Sequence, residues 1–215
     1  MAINEQPKGS IGRQEQKELT RKRLIQATKE SIAKDGFSGT TLAKVANSIG
    51  LSQGVVNFHF QSKEQLIQET LRQLANEVLA LCTEAVSGDD TPTNNLIALI
   101  RCILSPQLTN QMDSSIWHGY WGEAQSRSAY IDICASLDVQ QDNLFLNLCE
   151  QIKKDGNYTE VDCRQVVDGI GAMIGGFDLQ VLLTPHEFHW ETALQTCLDL
   201  LSVYFPNHFK RGVTH

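Results

Sequence analysis

Residues 41 to 63 constrain the fold more tightly than any other stretch. They read Thr-Leu-Ala-Lys-Val-Ala-Asn-Ser-Ile-Gly-Leu-Ser-Gln-Gly-Val-Val-Asn-Phe-His-Phe-Gln-Ser-Lys. Leu42, Val45, Ala46 and Ile49 keep helical spacing, so a first helix has one apolar stripe to bury. Thr41 precedes that stripe as an N-cap, its hydroxyl placed to accept a first-turn N–H. Gly50 ends the helix, because without a Cβ it enters the left-handed region freely. Ser52 then caps a second helix too short to be stable alone, which must therefore be held by packing. Helix, tight glycine turn and short second helix make a helix-turn-helix, the device that lays a helix in the major groove of double-stranded DNA. Gln53 and Gly54 fall in the exposed first turn, where backbone N–H groups are open to phosphate.

The run continues Phe58-His59-Phe60-Gln61-Ser62-Lys63-Glu64-Gln65-Leu66. Together with Thr41, Gly50-Leu51-Ser52 and Gly54, this order resembles the N-terminal domain of the TetR family of bacterial repressors, from about Glu18 to Val78. The resemblance implies an all-α fold with a three-helix helix-turn-helix domain joined to a C-terminal helical domain for effector binding and dimerisation. It divides the chain into a flexible basic arm (1–17), a DNA-binding domain (18–78) and a ligand-binding and dimerisation domain (79–215). It further implies a cytoplasmic homodimer on a palindromic operator, and a regulator rather than an enzyme.

Residue chemistry assigns the expected DNA contacts. Gln53 is the best base reader, since its amide pairs bidentately with adenine, and Asn57 can do the same one turn on. Gly54 costs helix propensity, which points to close backbone approach to the duplex; a tolerated surface glycine is the plainer reading. Val55 is suited to a thymine methyl, and Ser52 stands at the mouth of the helix. The resemblance adds Phe58 and His59 as contacts to backbone or bases, Lys63 as a phosphate anchor, and Thr41 and Lys44 against the opposite backbone, with Phe60 packed inside. Asn57 stands where many relatives carry a phosphate-binding tyrosine, so operator preference does not transfer. Lys8, Arg13, Lys17 and Arg21-Lys22-Arg23 lead into the first helix. They read equally as a minor-groove arm or a solubilising tail.

Charge agrees with this division. The chain is −7 overall, yet residues 1–75 hold 11 Lys and Arg against 7 Asp and Glu, while the remainder holds 7 against 18. A basic head on an acidic body directs DNA to one end. No run of about 20 apolar residues is read in the sequence and no signal-peptide pattern is present, so no membrane partner is expected. Six cysteines (82, 102, 134, 149, 163, 197) lie far apart without a C-x-x-C pair. They read as reduced, buried, small apolar residues. Metal and cofactor are expected to be absent. His186-Glu187-Phe188-His189 lacks H-E-x-x-H spacing and reads as a loop.

Helical periodicity predicts a first helix over 20–34, ended by Asp35-Gly36, and a long fourth helix opened by the capping box Ser62-Lys63-Glu64-Gln65. Its Ile67, Leu71, Leu74, Val78 and Leu81 form one stripe, and Ser87 to Pro92 closes it. Further helices are predicted over 93–105, 110–129, 131–154, 160–183 and 189–205. Val166, Ile170, Met173 and Phe177 make a stripe on one of the last two, and Trp190, Leu194, Cys197, Leu201 and Tyr204 on the other. These stripes serve either a four-helix dimer interface, as the resemblance implies, or the chain's own core. Gly169, Gly171, Gly175 and Gly176 are expected to allow close helix–helix approach, since a dinucleotide fingerprint would need a preceding strand.

Trp117, Tyr120 and Trp121 lie at i, i+3 and i+4, so one helical face carries a dense aromatic patch. The segment Trp117-His118-Gly119-Tyr120-Trp121 is similar to that of the BetI subgroup, the choline-responsive TetR relatives. The resemblance makes Trp117, Tyr120, Trp121, Phe177 and Asp178 the candidate ligand residues, with Glu123 as an alternative countercharge. A cage for a quaternary ammonium and ordinary packing are both open readings of these rings. Gly175-Gly176-Phe177-Asp178 departs from the Asp-Gly-Leu-Trp that relatives tend to carry, so ligand chemistry is open to change. The competing class is a small-molecule carrier or enzyme with a vestigial helix-turn-helix. No nucleophile elbow, phosphate loop or zinc pattern supports it.

Overall fold

The computed structural model describes residues 12–86, 88, 91–122 and 127–212. The described residues form helices without strands: α1 Arg13–Gly39, α2 Leu42–Ser48, α3 Gln53–His59, α4 Lys63–Ala85, α5 Pro92–Ile103, α6 Gln111–Gly122, α7 Arg127–Asp155, α8 Cys163–Leu183 and α9 Trp190–Tyr204. The chain divides into two compact units that meet within α4, at Ile67 and Gln68.

In the first unit, Leu24 and Ile25 of α1, Val45 and Ala46 of α2, Val56 of α3, Phe60 and Leu66 close one core. Its local signals are sequence-encoded. Thr41 accepts the Lys44 N–H at 3.2 Å. Gly50 takes φ +69°, with Gly50 N–H on Asn47 O at 3.2 Å and Leu51 N–H on Ala46 O at 2.9 Å. This paired bonding satisfies the last carbonyls of α2. At the head of α4, Ser62 Oγ accepts the Gln65 N–H at 3.1 Å and the Gln65 amide accepts the Gln61 N–H at 2.6 Å. Two expectations change. Ser52 holds the N-cap position of α3 but its hydroxyl makes no capping bond. Helix α1 starts at Arg13, earlier than predicted, and resumes for a few residues past Gly36, which sits at φ +71°. Arg13 and Lys17 are therefore helical, while Lys8 lies outside the described residues.

In the second unit, α8 packs on α6, α7 and α9, and α5 packs on α7 and α9. Leu96, Leu99 and Ile100 meet Cys149, Ile152, Val166, Ile170, Cys197 and Leu201 in a continuous core. Met173, Phe177, Trp190, Leu194 and Tyr204 pack against it, so the two stripes on α8 and α9 belong to the chain's own core. The large apolar residues left open on these helices are Leu179, Leu183 and Val203. Helix α8 is also long and apolar enough to cross a membrane by length and composition, a property hidden in the sequence by its scattered charges, and only 22% of its most apolar window is buried. The glycines of α8 make no close helix contact within the chain: a Cβ at Gly171, Gly175 or Gly176 would meet nothing within 4 Å, and at Gly169 only Leu200 at 3.9 Å.

Sequence reasoning missed one feature. Tyr158 Oη accepts the Asn207 N–H at 2.9 Å and bonds His208 Nδ1 at 2.9 Å, while His208 Nε2 bonds Asp155 at 3.0 Å. This chain of bonds ties the residues after α9 to the α7–α8 turn.

Candidate functional site

In the first unit, the residues predicted to meet DNA gather along α2, α3 and the start of α4. Gln53, Gly54, Asn57 and Phe58 are exposed on α3, as are Thr41 and Lys44 at the start of α2. Phe58 is 69% exposed. Lys17 Nζ stands 5.3 Å from its ring centre. Val55 and His59 are half-buried, and Phe60 is in the core. Burial, then the neighbouring Lys17 and Arg21 charges, lowers the His59 pKa, so the imidazole is held towards its neutral form.

The basic side chains have internal partners. Lys63 Nζ donates to the Phe37 carbonyl, and Lys44 pairs with Asp35 at 3.1 Å. The Lys63 bond fixes the ammonium without neutralising it, leaving donors for a phosphate. Ser52, lacking its capping bond, leaves the first turn of α3 uncapped by a side chain.

In the second unit, α4, α6, α7 and α8 surround a cavity of about 270 Å³. Its aromatic wall is Trp117, Trp121 and Phe145, and its acidic groups are Asp138, Asp142 and Asp178. Ala75, Val78 and Leu79 of α4 complete the apolar side. Trp121 is 43% exposed, and the His118 ring meets it edge-on at 5.0 Å. Asp178 accepts a hydrogen bond from Ser114 Oγ, and its second oxygen lies 2.9 Å from His118 Nε2. Asp142 is paired with Arg164 at 2.9 Å. Burial, and then the Asp142 charge, raises the Asp138 pKa.

Of the five predicted ligand residues, Trp117, Trp121 and Asp178 line this cavity. Tyr120 is only 2% exposed and lies outside the lining, and Phe177 packs towards Phe188, ring centres 6.2 Å apart. Glu123 lies outside the described residues. Asp138 and Asp142 were not singled out in the sequence. They come from α7, distant in the chain, and local periodicity carries no sign of which helix will face the tryptophans.

None of the described cysteines lines this cavity. Burial pushes the thiols of Cys82, Cys149 and Cys197 up to about 12, and that of Cys163 to about 11, so they stay protonated and poorly nucleophilic.

Residues 24–70 match the family described as bacterial regulatory proteins, tetR family. Residues 92–206, more than half of the chain, match the family described as BetI-type transcriptional repressor, C-terminal. The chain belongs to this family. It is a BetI-type transcriptional regulator of the TetR family. The HTH-type transcriptional regulator BetI of Paraburkholderia phymatum is 27% identical over 188 residues, covering 87% of this chain and 93% of its own. A solved transcriptional regulator from Pseudomonas aeruginosa PAO1 shares the fold with a TM-score of 0.78 at 21% identity, covering 90% of this chain and 95% of its own. Another, from Saccharomonospora viridis and solved in complex with choline, has a TM-score of 0.76 at 19% identity, covering 86% of this chain and 96% of its own.

Proposed function

We propose that this regulator is a dimeric repressor released from a near-palindromic operator by a cationic small molecule, choline or a related quaternary ammonium. The observation that carries the ligand class is the cavity wall. It joins two tryptophans to three aspartates, and its described lining contains no Lys or Arg. A quaternary ammonium donates no classical N–H hydrogen bond and is attracted to ring faces, while the half-buried Asp178 supplies a countercharge beside the tryptophans. The choline held by the Saccharomonospora viridis regulator supports the same class.

On the DNA side, α3 is the recognition helix. Gln53 and Asn57 read bases, Val55 meets a thymine methyl, and Gly54 lets the backbone approach. Ser52, Phe58, His59 and Lys63 hold one phosphate strand, while Thr41 and Lys44 hold the other. A second copy supplies the second half-site. The thin burial of α8, with Leu179 and Leu183 open to solvent, supports pairing through that helix.

Helix α4 couples the two functions. It carries Lys63 in its first turn and the cavity-lining Ala75, Val78 and Leu79 further along. A ligand that prefers the arrangement with mismatched heads empties the operator. Swinging the population from 1:99 to 99:1 requires about 10⁴-fold differential affinity. In a gel-shift assay on the chain's own upstream region at moderate salt, the protein is expected to retard the DNA and choline to release it. Retardation that no quaternary ammonium alters would defeat the effector assignment.

A further inference from the structure

Some of the described glycines are required by the chain's own geometry. Gly36 and Gly50 have positive φ, and at Gly156 a Cβ would lie 2.1 Å from Tyr158 Cε2. The chain's own geometry explains each of these. Gly171 and Gly175 have neither reason: both sit inside α8, neither has positive φ, and a Cβ at either would meet nothing within 4 Å. Alanine would fit and would strengthen the helix.

What the two positions share is the cavity. Val167, Gly171, Ile174, Gly175 and Asp178 all line it, and spacings of three and four place them on one face of α8. The wall below Asp178 is thus bare backbone at two successive turns. A cavity of roughly 150 Å³ accommodates benzene. This one is about 270 Å³, and choline has only one heavy atom more than benzene, so choline alone leaves room.

We infer that Gly171 and Gly175 set the size of cation the cavity accepts, and that they admit an ammonium bearing a substituent bulkier than methyl. The inference rests on the cationic-effector reading above. The charged end lies at Asp178 between the tryptophans, and the bulky substituent lies along the glycine strip. Filling either position with a methyl group penalises the large cation and spares the small one.

The test uses the full chain and titrates choline and benzyltrimethylammonium into wild type, Gly171→Ala and Gly175→Ala by calorimetry. Wild type is expected to bind benzyltrimethylammonium at least as tightly as choline. In the alanine variants the Kd of the larger cation rises about tenfold or more, that of choline changes much less, and thermal midpoints hold or rise. Equal losses for both cations, or no change for either, overturn the inference. Weakened dimerisation in the alanine variants, with cation preference unchanged, also overturns it and assigns the glycines to subunit contact. Choline binding without benzyltrimethylammonium binding to wild type removes this inference alone. Failure of both cations removes the cationic-effector reading as well.

Discussion

Lys63 shows how a single residue is held in place for its proposed phosphate partner. Its ammonium is held on the Phe37 carbonyl, so little side-chain entropy is left to lose when a phosphate arrives. Lys63→Ala should weaken binding to all DNA sequences alike and flatten the dependence of log K on log salt by about one unit. An unchanged slope in anisotropy titrations would remove Lys63 from the phosphate contacts. Gly156 shows the opposite case, a residue fixed by intrachain packing. A Cβ there would also lie 2.6 Å from Tyr158 Cζ and 2.8 Å from His208 Cε1, forcing apart the bonds that anchor the residues after α9. Gly156→Ala should cost about 2 kcal/mol, seen as a fall of about 5 °C in thermal midpoint, and an unchanged midpoint would show that the rings yield freely. Thr41, Gly50 and Gln65 were readable in the sequence because each acts on atoms within a few positions of itself. The Tyr158–His208–Asp155 chain was not, since its partners are brought together only by the packed helices.

Among the elements, α8 serves several purposes at once. One side packs Val166 and Ile170 into the core, another faces the cavity, and Leu183 stands 68% exposed. In the proposed dimer, α8 of an identical chain covers this thinly buried face. Replacing Leu179 and Leu183 together with Asp should shift sedimentation equilibrium towards monomer by about 2 kcal/mol or more, without unfolding the chain, whose core these residues do not enter. A variant that remains fully dimeric would place the interface elsewhere. The sequence made the helices visible because their stripes repeat at the helical period. It did not say which neighbour each stripe meets, so residues of α8 and α9 considered for the interface, such as Ile170 and Leu201, prove to be core. The cavity was partly legible for the same reason: Trp117 and Trp121 share a local face, whereas Asp138 and Asp142 arrive from another helix. Tyr120 shares the spacing of the tryptophans but turns into the protein, where burial of its ring outweighs exposure to the cavity.

For the molecule as a whole, charge and ligand chemistry run in parallel. The basic N-terminal third attracts a polyanion, while the acidic remainder repels one and favours a cation. In the proposed complex a quaternary ammonium occupies the cavity between Trp117, Trp121 and Asp178. The decisive experiment titrates choline into the purified chain while following tryptophan fluorescence, with Trp121→Ala and Asp178→Asn as companions. Saturable quenching is expected in the wild type, strongly reduced in Trp121→Ala and shifted to much higher concentration in Asp178→Asn. Quenching that persists equally in both variants, or no response to choline, betaine aldehyde and larger quaternary ammonium ions, would rule out a quaternary ammonium in this cavity.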